Sequence, residues 1–154
     1  MTNYYIGLMT GTSLDGIDAA LIRADGEHYT YLAHCEQPMP PALRTALYAL
    51  YRPGDNELHR AAVAAWEHAA ASAAAVTALL KKTGVSAAAI TAIGAHGQTL
   101  RHAPDHDPPY TIQLQNPARL AELTGIDTIA DFRSRDIASG GQGAPLAPLF
   151  QRGL

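Results

Sequence analysis

Between Thr10 and Asp18 the chain crowds three hydroxyls (Thr10, Thr12, Ser13), two glycines (Gly11, Gly16) and two carboxylates (Asp15, Asp18) into nine residues. Glycine lets backbone N–H groups approach an anion closely and hydroxyls add donors, so the composition suits a phosphate-binding loop. The carboxylates repel phosphate directly but can hold Mg²⁺, often through water, which then neutralises the phosphate oxygens. A Walker loop is excluded: it needs a Lys-Ser/Thr pair opening a helix, and this stretch has no lysine and runs into the strand-like Ala19-Ala20-Leu21-Ile22. The alternative is a plain β-hairpin turning at Asp15-Gly16, a strong short-range turn signal.

Two further clusters could do chemistry. His96 and Gln98 follow the apolar run Ala92-Ile93-Gly94-Ala95, and open α/β sheets put ligand contacts just past such strands. Imidazole plus carboxamide suits a hydroxyl-rich or acylated sugar; the competing reading is a histidine hydrogen-bonded within its own loop. Asp131 and Arg133 follow another short apolar run, Thr128-Ile129-Ala130. Arg133 could grip a carboxylate or phosphate with both arms of its fork, or the run through Asp136 could be surface charge. His102 and His106 are four apart, but Pro104 between them argues against a shared helical face and a zinc pair. Cys35 has no activating neighbour in sequence and reads as an inert thiol. His28, His34, His59 and His68 read as solvated or half-buried.

The elements that must position these residues are marked by spacing. Tyr5–Met9, Asp18–Arg23 and Tyr29–Cys35 read as strands, with hairpin connections at Asp15-Gly16 and Asp25-Gly26. Pro41 suits the first position of a helix over Ala42–Leu50, stopped by Pro53-Gly54. A long helix is expected from Glu57 to Lys82, its buried stripe formed by Leu58, Ala62, Ala65, Ala69, Ala73, Val76 and Leu80, with Gly84 as its left-handed cap. Trp66 should anchor the edge of that face. Ala92–Ala95, Tyr110–Leu114 and Thr128–Ala130 read as strands, and Asn116, Pro117 and Gly125 mark the start and stop of a helix. Three meandering strands followed by alternating helices and strands imply an α/β domain, a mixed sheet flanked by helices.

At 154 residues the chain is about one domain long. A net charge of −3 offers no basic field for nucleic acid. One cysteine makes no internal disulfide, which suits a reducing cytoplasm. Glu67 and His68 in the middle of the alanine-rich stretch argue against a membrane span.

Taken together, these segments resemble the anhydro-N-acetylmuramic acid kinases. The resemblance rests on Gly7-Leu8-Met9-Thr10-Gly11-Thr12-Ser13-Leu14-Asp15-Gly16-Ile17-Asp18, Gly94-Ala95-His96-Gly97-Gln98-Thr99 and Gln113-Leu114-Gln115-Asn116, and continues through Ala130-Asp131-Phe132-Arg133-Ser134-Arg135-Asp136 and Gly140-Gly141-Gln142-Gly143-Ala144-Pro145-Leu146. It implies the fold shared by sugar kinases, the Hsp70 ATPase and actin, in which two ribonuclease-H-like domains enclose ATP. The expected organisation is a first actin-like ATPase domain over 1–138, with a mixed five-stranded sheet, and a hinge with the start of a second domain over 139–154. The implied reaction opens the 1,6-anhydro ring of 1,6-anhydro-N-acetylmuramic acid with water and phosphorylates O6 from ATP and Mg²⁺, a step of bacterial cell-wall recycling.

Carried over, Gly11, Thr12, Ser13, Leu14, Asp15, Gly16, Ile17 and Asp18 match the ATP-phosphate loop, with Asp15 and Asp18 as metal candidates. His96, Gln98 and Arg133 stand as sugar contacts and Asp131 as the nearest candidate base. Family members are longer and carry a second phosphate loop, an adenosine segment and a further aspartate motif. The chain is therefore expected to be the N-terminal part of such a kinase, inactive alone, cytoplasmic, with the sugar as partner, neither nucleic acid nor membrane, and a homodimer as its assembly. A non-catalytic sugar- or phosphate-binding module is the alternative. An assembly-forming protein is a third reading, and the surface due to face the remaining domain should be exposed.

Overall fold

The computed structural model describes residues 2–26 and 28–147. Strands β1 (Thr2–Met9), β2 (Gly16–Asp25) and β3 (His28–Pro38) form an antiparallel meander, and helices α1 (Pro41–Ala49) and α2 (Glu57–Thr83) follow. Then come β4 (Ile90–Ala95), β5 (Gln98–Ala103), β6 (Tyr110–Leu114), α3 (Pro117–Thr124), β7 (Thr128–Ala130) and α4 (Phe132–Ala138). The main sheet has five strands in the order β3-β2-β1-β4-β7. β1 runs antiparallel to β2, while β1, β4 and β7 run parallel to one another. This is the mixed, ribonuclease-H-like sheet that the sequence implied.

Period-two alternation sets its two faces. Ile6, Leu8, Ala19, Leu21 and Ile93 turn to one side and are buried. α2 covers that side, close enough for the Cys35 thiol to donate to the Ala75 carbonyl at 3.6 Å. Small residues permit the approach: Ala64, Ala69, Ala73 and Ala75 are all buried.

Several expectations are corrected. Asp15-Gly16 is not the turn between β1 and β2. Met9 pairs with Asp18, and Gly16 already pairs with Pro38 of β3. The turn lies earlier, where the Leu14 N–H donates to the Gly11 carbonyl at 3.2 Å. Gly16 is required by the sheet: a Cβ there would stand 2.8 Å from the Gln37 carbonyl oxygen. The α2 stripe is also out of phase at its start. Leu58 is 89% exposed and Trp66 52% exposed, and Trp66 instead lies under the Arg119 guanidinium, 3.8 Å from the ring centre. β6 leaves the main sheet and pairs with β5 in a two-stranded ribbon. By length and composition alone α2 could cross a membrane, but half of its most apolar window is buried inside the molecule. α4 ends at Ala138, and part of the expected second-domain start, 148–154, lies outside the described residues.

Candidate functional site

Because β1, β4 and β7 are parallel neighbours, their carboxyl ends lie along one edge of the sheet, where ligands bind in open α/β folds. β1 delivers the Thr10–Asp15 loop, β4 delivers His96, and β7 delivers Asp131 and, one residue into α4, Arg133. The His96 N–H donates to the Leu8 carbonyl at 3.1 Å, which ties the second of these exits to the first. His96 and Arg133 meet directly. The Arg133 Nε–H donates to His96 Nε2 at 2.8 Å, so the imidazole carries its proton on Nδ1 and donates it to the Gly97 carbonyl at 2.8 Å. Burial holds the His96 pKa below its ordinary value and the Arg133 charge adds to this, against the Gly97 hydrogen bond. Arg133 Nη1 donates to the Gly143 carbonyl at 2.7 Å, and the Gly143 N–H donates to the Asp136 carboxylate at 2.8 Å. The glycine-rich segment is thereby fastened to α4.

Within the loop, Thr12, Ser13 and Asp15 are exposed, whereas the Leu14 and Ile17 side chains are buried in the core. Leu14 and Ile17 can therefore serve a phosphate only through their backbone. Leu14 has a φ of 57°, a left-handed conformation that strains a branched side chain. Complete burial of that side chain holds the conformation in place. Asp15 faces solvent with Arg44 at 3.8 Å. Asp18 is committed on the opposite face of the sheet from α2, its Oδ1 hydrogen-bonded to His34 Nε2 at 2.9 Å. Among the described residues no group of three His, Cys, Asp or Glu could hold a metal. Mg²⁺ needs only one or two carboxylates when phosphate and water complete its shell, and Asp15 fits that requirement better than Asp18.

Asp131 is exposed, with a φ of 64°, and its carboxylate has no bond to any described residue. In the orientation that satisfies both of its ends, the Gln115 amide donates to the Ala95 carbonyl and accepts the Asp131 N–H, each at 3.2 Å. Gln98 is corrected. Its side chain has no exposed surface, and its Nε2 donates to the Tyr51 hydroxyl at 2.9 Å. It supports the loop from behind and presents nothing to a sugar.

Two residues at this edge were given no role in the sequence. Tyr51 donates its hydroxyl to the Thr12 carbonyl at 3.0 Å. His68, read as solvated or half-buried, is buried and hydrogen-bonded through Nε2 to Thr10 Oγ1 at 3.0 Å. Burial, with a smaller contribution from His96, lowers the His68 pKa to about 4. His68 also borders a cavity of about 10 Å³ between α2 and the sheet, lined in addition by Thr10, Ser72, Gln115 and Asn116, with room for a single water. Neither residue belongs to a motif; the only signal was a histidine within the alanine-rich stretch of a helix.

The five-stranded mixed sheet, its covering helices and the loops gathered at one carboxyl edge define an α/β domain whose topology is consistent with an actin-like ATPase domain. The model of the anhydro-N-acetylmuramic acid kinase family matches residues 3–154. The chain belongs to that family. It is 53% identical to the anhydro-N-acetylmuramic acid kinase of Albidiferax ferrireducens over 99% of its length and 40% of that protein's. The enzymes of the same name from Bordetella pertussis and Bordetella petrii are 56% and 58% identical, each over 97% of this chain and 39% of theirs. The chain thus spans about 40% of the length of the curated relatives it matches. A solved exopolyphosphatase-like protein superposes with a TM-score of 0.38 at 15% identity, over 88% of this chain and 34% of that one, a likeness too loose to carry the fold.

Proposed function

We propose that the chain forms the phosphate-loop wall of an ATP-dependent kinase that opens the anhydro ring of 1,6-anhydro-N-acetylmuramic acid and phosphorylates O6. The observation that carries this reading is the convergence of three parallel strand ends on one edge, with His96 and Arg133 joined at 2.8 Å. Thr12 and Ser13 offer hydroxyls, and the glycine-containing turn offers N–H donors, to the phosphates. Bound MgATP supplies the phosphoryl group and neutralises charge on it; Asp15 is the carboxylate that would hold the metal. At the neighbouring strand ends His96, neutral and oriented by Gly97, and the unused arm of Arg133 face the sugar. Asp131, exposed and with its carboxylate bonded to no described residue, is a carboxylate available to take a proton from a water attacking C1. The bacterial cytoplasm, where ATP is available, is the compartment this reading implies.

Phosphorus NMR and binding titration test the proposal together. The 154-residue chain should bind MgATP saturably, with amide shifts concentrated at Gly11–Asp15, and should give no sugar-phosphate resonance by itself. A chain that leaves those amides unmoved at saturating MgATP overturns the reading. Saturable sugar-specific heat without nucleotide binding would instead favour a non-catalytic sugar-binding module.

A further inference from the structure

We propose that Tyr51 is a positioning residue for the phosphate loop: its hydroxyl, held by Gln98, fixes the plane of the Thr12–Ser13 peptide and so the direction of the Ser13 N–H. The inference rests on the phosphate-loop reading but has its own geometry. Leu14 N–H donates to the Gly11 carbonyl, closing a four-residue turn whose central peptide is Thr12–Ser13. With the ends of such a turn fixed, the central peptide is the element that can swing between turn types. A trans peptide is planar, with C=O and N–H pointing in opposite directions. Pinning the Thr12 carbonyl to Tyr51 at 3.0 Å therefore turns the Ser13 N–H away from Tyr51. That N–H is bonded to no described residue and sits between two exposed hydroxyl residues. It is left free to donate to an anion.

The groups behind Tyr51 are arranged to hold its hydroxyl still. Gln98 Nε2 donates to it at 2.9 Å from a fully buried side chain whose Oε1 has no donor among the described residues. A buried amide oxygen without a partner is a cost that core packing does not require. Burial, with Tyr48 beside it, keeps the Tyr51 phenol above its ordinary pKa against the opposing Gln98 bond; even at the ordinary value of about 10 a phenol is protonated, and so a donor, at neutral pH. Arg101 grips the segment carrying Tyr51, donating to the Leu50 carbonyl at 2.8 Å and to Glu57 at 2.9 Å. The Tyr51 ring also packs against Tyr48, with centroids 5.6 Å apart.

Tyr51→Phe in the whole chain keeps the ring and removes only the hydroxyl. Without ligand, the Thr12 carbonyl carbon and the Ser13 amide should shift, the latter with exchange broadening. Affinity for MgATP should then fall about tenfold, the scale of one lost oriented hydrogen bond. Gln98→Met, which frees the hydroxyl without removing it, should change both readouts in the same direction by less. Both variants melting lower while MgATP affinity and the Thr12 and Ser13 signals stay as in the parent would overturn the proposal. If the parent itself fails to bind MgATP, the phosphate-loop reading falls and the ligand-free signals judge the relay alone: shifted, it stands; unmoved, it is overturned.

Discussion

His68 shows how a single buried side chain couples the site to solution conditions. With a folded pKa of about 4 against an ordinary 6.5, the native chain binds fewer protons than the unfolded chain between those values. Stability therefore rises with pH across that window, and is lost as pH falls from about 6.5 toward 4. Between pH 7 and pH 5 the loss from this group is about 2 kcal/mol. Urea unfolding at the two pH values should show it, and His68→Phe should flatten the slope. If the slope survives that substitution, the histidine is not its source. A second residue-scale expectation concerns Gly97, whose φ is 74° and whose added Cβ would lie 2.7 Å from the Leu114 carbonyl oxygen. Gly97→Ala should destabilise by at least about 1 kcal/mol, read as a lowered melting temperature, and should disturb the His96–Gly97 bond that sets the imidazole tautomer.

At the scale of elements, Asn116 gives the cleanest test. Its Oδ1 accepts the Arg119 N–H at 3.0 Å and starts α3, so Asn116→Ala should cost about 1 kcal/mol in chemical denaturation, with Asn116→Asp close to the parent. The cap was legible in the sequence because Asn, Pro and Gly each have a positional meaning that tertiary context does not change. The hairpin at Gly26 and the left-handed cap at Gly84 were legible for the same reason. The burial phase of α2 was not. When alanine fills most positions the stripe has little contrast, and the reading through Leu58 and Ala62 missed the buried face that carries Ala64, His68 and Ser72. β5 was missed because His96-Gly97-Gln98-Thr99 and Arg101-His102 look like loop chemistry, though Gly97 links β4 to β5 hard against the Leu114 carbonyl of β6. α4 was missed because its charges mask a single buried residue, Ile137. The site followed the same division. Loop, histidine and arginine stood out by type and spacing, whereas Tyr51 and His68 reach it from distant segments.

For the whole molecule, α2 covers one side of the sheet and leaves much of the other open among the described residues. On the opposite face the start of α4 sets Phe132 against Gly94, while Tyr31 is 65% and Ile129 56% exposed. An apolar sheet face left open to water favours association, so sedimentation of the 154-residue chain should depend on concentration, and Ile129→Lys should reduce that dependence. A sedimentation coefficient constant over a hundredfold dilution would count against it. Another whole-molecule consequence sits in the arginine of α4. Arg133 uses one arm on His96 and another on the Gly143 carbonyl, so a single guanidinium spans the sheet edge and the glycine-rich segment that follows α4. That makes it a mechanical tether. A pull on the chain at Gly143 reaches the imidazole at the edge of the sheet through one planar, rigid group and α4 through the Asp136 carboxylate, and any ligand that recruits the guanidinium slackens the first of these ties in return.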